Sequence, residues 1–310
     1  VIGDDFAHPS CRQDFERMLR PPDALSLKTL SSHFAFGRNW ASYAELIDER
    51  RIAEAKDALV RLLGREAIAG KSFLDLGCGS GLHAVAAARL GAARIVAADI
   101  DPDAVATTRR VLPRHAPNAS FEARELSVFD LAPETCGRFA VVYSWGVLHH
   151  TGAMREAMER AAGAVEPGGL FAFALYHRTR MCAFWAGEKR WYSRATPRAQ
   201  ALARKVYVAL LRLRFRLAGR DFRAYVAGYK SMRGMDFAHD VHDWLGGYPY
   251  ESISAPEVEA LMRRLGFAHV RSFTTPVTIG LFGSGCDEYV YRRTGNAPDT
   301  SSDESQGGTE

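Results

Sequence analysis

The stretch "YSWGVLHHTG" at residues 143–152 sets His149 and His150 side by side where an apolar run gives way to a glycine-bounded turn. Imidazole titrates near neutrality, so such a pair can act as a general base, a proton shuttle or a metal ligand. Side chains at i and i+1 diverge, and no cysteine or acid lies at ligand spacing, so no metal site is expected. Two roles stay open on the residues alone: a base, or turn histidines that cap backbone groups. A second chemical stretch lies upstream. In "FLDLGCGSGLH" (73–83), Gly77, Gly79 and Gly81 follow a short apolar run that contains Asp75, and Asp99 ends the next apolar run.

Glycines between a strand and a helix permit a tight turn and close approach of backbone to a ligand, and the helix start offers unpaired N–H groups to an anion. Three ligand classes use such a turn. A dinucleotide turn requires G-x-G-x-x-G, and Leu82 occupies the third glycine position. A P-loop requires G-x-x-x-x-G-K-[ST]; the run from Gly64 to "GKS" has one residue too many and precedes a strand instead of following one.

The elements that would position these residues follow from periodicity. "WASYAELIDERRIAEAKDALVRLL" (40–63) predicts one amphipathic helix closed by Gly64. Strands are expected at "KSFLDL", "ARIVAADID", "SFEAR", "FAVVYSW" and "LFAFALY". Helices are expected at "LHAVAAARLGA", "PDAVATTRRVLPR" and "AMREAMERAAGAV", the last of them stopping at "EPGG". Strands and helices alternating at this spacing imply βαβ units and a doubly wound parallel sheet. Later come a basic helical block broken near Pro197, a helix at "APEVEALMRRLGF" and strands at "HVRSFTTPV" and "CDEYVYRR".

The third ligand class is the one this chain resembles. D-x-G-x-G-x-G before a helix, with an acid ending the second strand, is similar to the signature of class I S-adenosylmethionine (SAM) methyltransferases. The resemblance implies an α/β, seven-stranded, Rossmann-like methyltransferase sheet, SAM as cofactor and S-adenosylhomocysteine as product. It implies that Asp75 and the turn (Gly77, Cys78, Gly79, Gly81) hold the methionine end. Asp99, followed by Ile100, would accept from the ribose hydroxyls. Many relatives carry an Asp after the third strand; Ser127 stands there here, with the Val128 N–H as the other adenine contact. Ser144, on the fourth strand, completes the expected set. The resemblance favours His150 as base with His149 supporting, although which of the two takes the proton is left open.

Flanking segments resemble a group of small-molecule methyltransferases over roughly residues 33–293. They are "HFAFGRNWASY", "YSWGVLHHTGAM", "RGMDFAHDVHDWLGGYPYE" and "SGCDEYVYR". Phe36, Asn39 and Trp40 would cap the cofactor. Arg233, His239, Asp243, Trp244, Tyr248, Glu251, Cys286 and Glu288 would line a substrate pocket. The expected division is a helical cap over 1–64, a SAM-binding core over 65–177, a basic helical lid inserted after the fifth strand over 178–252, the last core elements over 253–293, and a tail over 294–310. The tail has four acids and no base, so it is expected to be disordered.

Composition bounds the partners. The 310 residues are 47% hydrophobic and 25% charged, as in a soluble globular protein. No apolar run approaches the ~18 residues of a membrane span. "VIGDDFAHPS" has neither a basic nor an apolar leader region, so no signal peptide is expected, and the missing Met implies a start inside a longer product. Five scattered cysteines without C-x-x-C fit a reducing cytoplasm. The net charge of +4 is uneven: residues 178–233 hold 15 Lys/Arg against Glu188 and Asp221. Leu202, Val206, Leu210, Leu213 and Leu217 share a helical face there, with Arg204, Lys205, Arg212 and Arg216 off it. A lid with a solvated back, an anionic lipid or glycan surface, and RNA phosphates are its three readings. The expected activity is O-methylation of a small molecule or glycan. Its rivals are an RNA methyltransferase, a protein methyltransferase, since the core also resembles the ribosomal-protein methyltransferases, and a non-catalytic SAM-binding module. Oligomeric state is not legible.

Overall fold

A computed structural model describes residues 36–233, 237–276 and 278–295, with side chains at 40–229, 237–238, 240–276 and 278–295. Seven strands form one sheet in the order β3-β2-β1-β4-β5-β7-β6. They are β1 (Ser72–Leu76), β2 (Arg94–Asp99), β3 (Phe121–Glu125), β4 (Phe139–Trp145), β5 (Val165–Tyr176), β6 (Phe267–Phe273) and β7 (Cys286–Arg293). All neighbouring pairs are parallel except those made by β7, which runs antiparallel to both β5 and β6. The doubly wound α/β expectation is thus met, and the carboxyl ends of β1, β2 and β4 open toward one edge, where such sheets bind ligands.

The near-continuous apolar strands are buried on both faces, as a parallel sheet requires. One face carries Leu74, Val142, Phe171 and Phe173; the other carries Phe73, Ala97, Val141 and Tyr143. Burying each large side chain of this set contributes roughly 1.5–3 kcal/mol. The first face is covered by α6 (Met154–Gly163) and α11 (Ala255–Arg264), the second by α1 to α4: Phe36–Ala44, Glu49–Leu63, Leu82–Arg89 and Pro102–His115. A one-turn α5 (Pro133–Cys136) precedes β4.

Several boundaries differ from the sequence expectation, among them that the last core helix ends at Arg264 and the strand expected at "HVRSFTTPV" runs over Phe267–Phe273. The single helix over 40–63 is two helices, because Asp48 turns extended and its side chain accepts from the Arg51 N–H, starting α2 afresh. Gly64 closes α2 with φ +85°, as expected. The strand expected at "LFAFALY" begins earlier, at Val165, which pairs with Phe139 before the register shifts.

Four helices are inserted between β5 and α11: α7 (Cys182–Arg194), α8 (Pro197–Leu217), α9 (Phe222–Arg233) and α10 (Phe237–Gly246). Pro197 does break the block, at the first turn of α8. These helices share a small core of Trp185, Tyr192, Val241, Leu245 and Tyr250, against which Tyr176 and Trp244 pack. The five-residue apolar stripe of α8 is not part of it. Leu202, Val206, Leu210, Leu213 and Leu217 are 51–80% exposed, and the helix buries Leu211 and Phe215 from its other side. Arg204 is turned inward, donating to Tyr192 Oη at 2.6 Å. Among the described residues no helix is long and apolar enough to cross a membrane.

Candidate active site

The glycine turn joins β1 to α3. Gly77, Gly79 and Gly81 all adopt positive φ, at +75°, +52° and +79°. Each is also pressed by a neighbour: a Cβ at Gly77 would strike the Val147 side chain, one at Gly79 would stand 3.1 Å from the Trp40 ring, and one at Gly81 2.9 Å from Thr108 Oγ1. Trp40, on α1, therefore lies across the turn. Thr108 Oγ1 also reaches Cys78 Sγ at 3.3 Å and Gly79 O at 3.4 Å, fixing the turn from α4.

Two buried acids meet beside this turn. Asp75 accepts from the Ala84 N–H in the first turn of α3, while its Oδ2 is buried with no hydrogen-bond partner among the described residues. Asp99 accepts from Gly79 N and Asp101 N, both at 3.0 Å. Burial pushes the Asp75 carboxyl up to about 7, with the Asp99 charge adding to it, and burial pushes Asp99 up to about 6. An orphaned carboxylate oxygen beside a second acid is a site for a cation; lone pairs remaining on Asp99 suit a vicinal diol. SAM carries both an ammonium and a ribose diol, and is the donor that this cradle fits.

The histidine pair lies on a 3₁₀ turn, Leu148–His150, beyond β4. His150 Nδ1 is 2.7 Å from the carbonyl oxygen of Pro249. A carbonyl only accepts, so the proton resides on Nδ1 and the lone pair on Nε2. Gly247 holds the ring from the side: a Cβ there would stand 2.7 Å from His150 Cε1. His149 is buried beneath, its ring 3.8 Å from that of Tyr176, and its Nδ1 has no partner among the described residues. Burial holds its pKa well below the usual histidine range, with the charges of His150 and Lys189 acting the same way.

A methyltransferase-domain family matches residues 47–271, nearly three-quarters of the chain. The chain belongs to that family. It is 35% identical over 141 residues to a ubiquinone biosynthesis O-methyltransferase of Methylobacterium sp., covering 42% of this chain and 52% of that one. It is 36% identical over 105 residues to a ribosomal protein L11 methyltransferase of Tolumonas auensis, covering 34% of each. The chain thus spans about half, or a third, of the length of these curated relatives. The crystal structure of magnesium protoporphyrin IX methyltransferase from Synechocystis PCC 6803 is similar at 11% identity and a TM-score of 0.46, over 79% of this chain and 80% of that one.

In this methyltransferase-domain chain the expected residues do not all converge. Asp75, the glycines, Asp99 and Trp40 surround one turn, with Ile100 following Asp99. Ser127 uses its hydroxyl locally, accepting from Phe129 N at 3.3 Å at the head of a 3₁₀ turn over Val128–Asp130. Ser144 is fully buried and donates to Leu76 O, which ties β4 to β1 beneath the site. Glu251 is drawn to the histidine turn: its N–H donates to His149 O, and its carboxylate accepts from Met154 N at 2.9 Å. Burial pushes that carboxyl up to about 7. Cys286 pairs in register with Tyr176 across β7 and β5. Glu288 accepts from Trp145 Nε1 at the end of β4 at 2.9 Å and from Arg61 at 2.5 Å, and its charge acts on His83 and Tyr143. Trp244 and Tyr248 are turned inward, and Asp243 is half-buried on α10. The side chains of Phe36, Asn39, Arg233 and His239 lie outside those described, as do the cap before residue 36 and the tail beyond 295.

Two residues, His83 and Lys189, carried no expectation. His83, in the first turn of α3, packs on Tyr143 at 5.1 Å, and burial lowers its pKa to about 4. It sits inside the quoted glycine motif, where its place just after Gly81 was the available signal. Lys189, on α7, is fully buried next to Trp244 and carried no signal beyond its charge.

Proposed function

We propose that this chain transfers the methyl group of SAM to a hydroxyl oxygen of a small molecule, with His150 as general base. The observation that carries this reading is the His150–Pro249 hydrogen bond, which presents the basic nitrogen of the imidazole at the end of β4. The donor supplies an electrophilic methyl on a sulfonium. Asp75 holds the donor's ammonium and Asp99 its ribose, while Trp40 screens the turn from water. As the new O–CH₃ bond forms and the S–CH₃ bond breaks, His150 Nε2 takes the hydroxyl proton, leaving S-adenosylhomocysteine and a methyl ether. The likeness to an O-methyltransferase, over 42% of the chain against 34% for the ribosomal-protein relative, leans toward this reading over a protein substrate.

The outward stripe of α8 supports a second statement, about where the acceptor is met. The helix has six Lys/Arg and no acid, and its exposed leucine face lies beside Lys205, Arg212 and Arg216. An apolar face edged by cations suits the interface of an anionic bilayer; RNA phosphates would not use the leucines. A second copy docked face to face would bring like charges together.

Incubating the protein with methyl-labelled SAM and cell extract tests the main reading. Label in the small-molecule or lipid–glycan fraction is expected. Label confined to protein or to nuclease-sensitive material would overturn it, as would SAM binding with no turnover in any fraction.

A further inference from the structure

Lys189 is an anomaly among its neighbours. Its α7 side chain is fully buried, and Nζ has no hydrogen-bond partner among the described residues. An ammonium has three N–H donors and is costly to enclose without acceptors. Rings surround it: Nζ lies 3.6 Å from the centroid of Trp244, 5.4 Å from that of Tyr250 and 6.0 Å from that of Trp185. Such faces attract a cation but satisfy none of its donors. Glu188, the nearest acid, interacts electrostatically, yet its buried Oε2 also lacks a partner.

The same wall holds a second orphaned donor, Trp244 Nε1. The chain of contacts runs from here to the histidine turn. Trp244 packs edge-on to Tyr176 at 5.5 Å, Tyr176 lies 3.8 Å from His149, and His149 is 4.4 Å from His150. A cation and an indole N–H without acceptors, flat aromatic walls and a basic imidazole thus share one neighbourhood. A sugar would leave the cation unanswered. A flat conjugated ring bearing a negative oxygen would answer the cation, the indole and the walls together.

We propose that Lys189 and Trp244 Nε1 bind an anionic oxygen on a planar aromatic acceptor, distinct from the hydroxyl that His150 deprotonates, so that the substrate class is an acidic phenol bearing a second hydroxyl. This rests on the reading of the His150 turn as the place of methyl transfer. It also gives Lys189 a substrate-binding role and not a structural one.

The test uses 4-nitrocatechol, whose absorbance reports its ionisation, titrated into the protein with S-adenosylhomocysteine present; SAM affinity is measured separately by calorimetry. Wild type is expected to bind the probe as its phenolate and to bind neutral 4-nitrobenzyl alcohol at least tenfold more weakly. Lys189→Met should weaken probe binding at least tenfold, leave SAM affinity within twofold, and melt no lower than wild type, because an unpaired buried charge has been removed. Trp244→Phe, which keeps the wall and removes the N–H, should weaken probe binding severalfold. Equal probe affinity in wild type and both variants would overturn the proposal, as would equal binding of the neutral probe or no probe binding by protein that binds SAM. A lower melting temperature in Lys189→Met with unchanged probe binding by Trp244→Phe would make the lysine structural. Loss of SAM binding by wild type itself would strike the methyl-transfer reading instead.

Discussion

His150 donates its Nδ1 proton to the carbonyl of Pro249 at 2.7 Å, across 99 residues of chain. That single bond decides the tautomer and aims the basic nitrogen. His150→Ala should lower turnover by roughly 10²–10⁴ if the imidazole is the base, with SAM affinity little changed. Turnover within threefold of wild type, measured by product formation under saturating donor, would leave His150 a structural residue.

Gly247 provides a gentler test of the same geometry. Its missing side chain is what lets the imidazole lie alongside α10, since a Cβ would come within 2.7 Å of His150 Cε1. Gly247→Ala should displace the ring by a few tenths of an ångström or more and lower kcat by about tenfold or more, because productive geometry tolerates little misplacement. The readout is kcat against the donor's Kd: a fall in kcat together with a rise in Kd would mean that the fold and not the base had moved.

At the glycine turn, the prediction is loss of donor binding. Gly79→Arg puts a side chain at φ +52° into the space beneath Trp40. SAM binding by calorimetry should disappear while the far-ultraviolet circular dichroism stays that of wild type. Retained affinity would mean the turn is only a connection.

How much of this was legible beforehand differs by feature. The glycine turn and Asp75 were readable because backbone constraints write themselves into residue type at fixed spacing. The break at Asp48 was not, since apolar spacing runs on through 40–63 while a single side-chain cap restarts the helix. In α8 the periodicity of Leu202 to Leu217 announced an amphipathic helix but not which side would be covered; Leu211 and Phe215, bulky too, face the core instead. Lys189 and the His150–Pro249 bond depend on contacts between elements distant in the chain, which no local pattern records.

Titration of the acid pair gives a signed prediction. Asp75 is raised from 3.8 to about 7 and Asp99 to about 6, mainly by burial. An acid whose pKa is higher in the folded chain binds more protons there. Its favourable contribution is therefore complete below the unfolded value and is lost as pH rises through the folded one. His83, held down at about 4, acts with the opposite sign as pH falls below its unfolded value, so the difference between variants is the useful quantity. Asp75→Asn should raise the melting temperature of ligand-free protein more at pH 8 than at pH 5, by a difference on the order of 2–3 kcal/mol, and have little effect only below the unfolded value. Donor affinity should rise from pH 6 to 7.5 in wild type, as Asp75 ionises, and be at least tenfold weaker and flat with pH in the variant. A melting shift equal at both pH values would show that the carboxyl carries no burial strain.

The outward face of α8 makes the last prediction, and it separates three partners. Leu210 and Leu213 are 52% and 51% exposed, so charging them removes no core contact and should leave the melting temperature within about 1–2 °C of wild type. Wild type should co-sediment with vesicles containing phosphatidylglycerol and bind weakly to pure phosphatidylcholine, because both the leucines and the neighbouring cations contribute. Leu210→Glu/Leu213→Glu should lower that partitioning at least tenfold. Raised salt should weaken binding to the anionic vesicles without abolishing it, since the apolar share is not screened. An RNA surface would show a different pattern: binding lost steeply with salt and with Arg212 and Arg216 substitutions, and little affected by the nature of the two leucines beyond the added charge, as Leu210→Ser/Leu213→Ser would reveal. A self-association face would appear as a change of oligomeric state in the same double variant, with no difference between vesicle compositions.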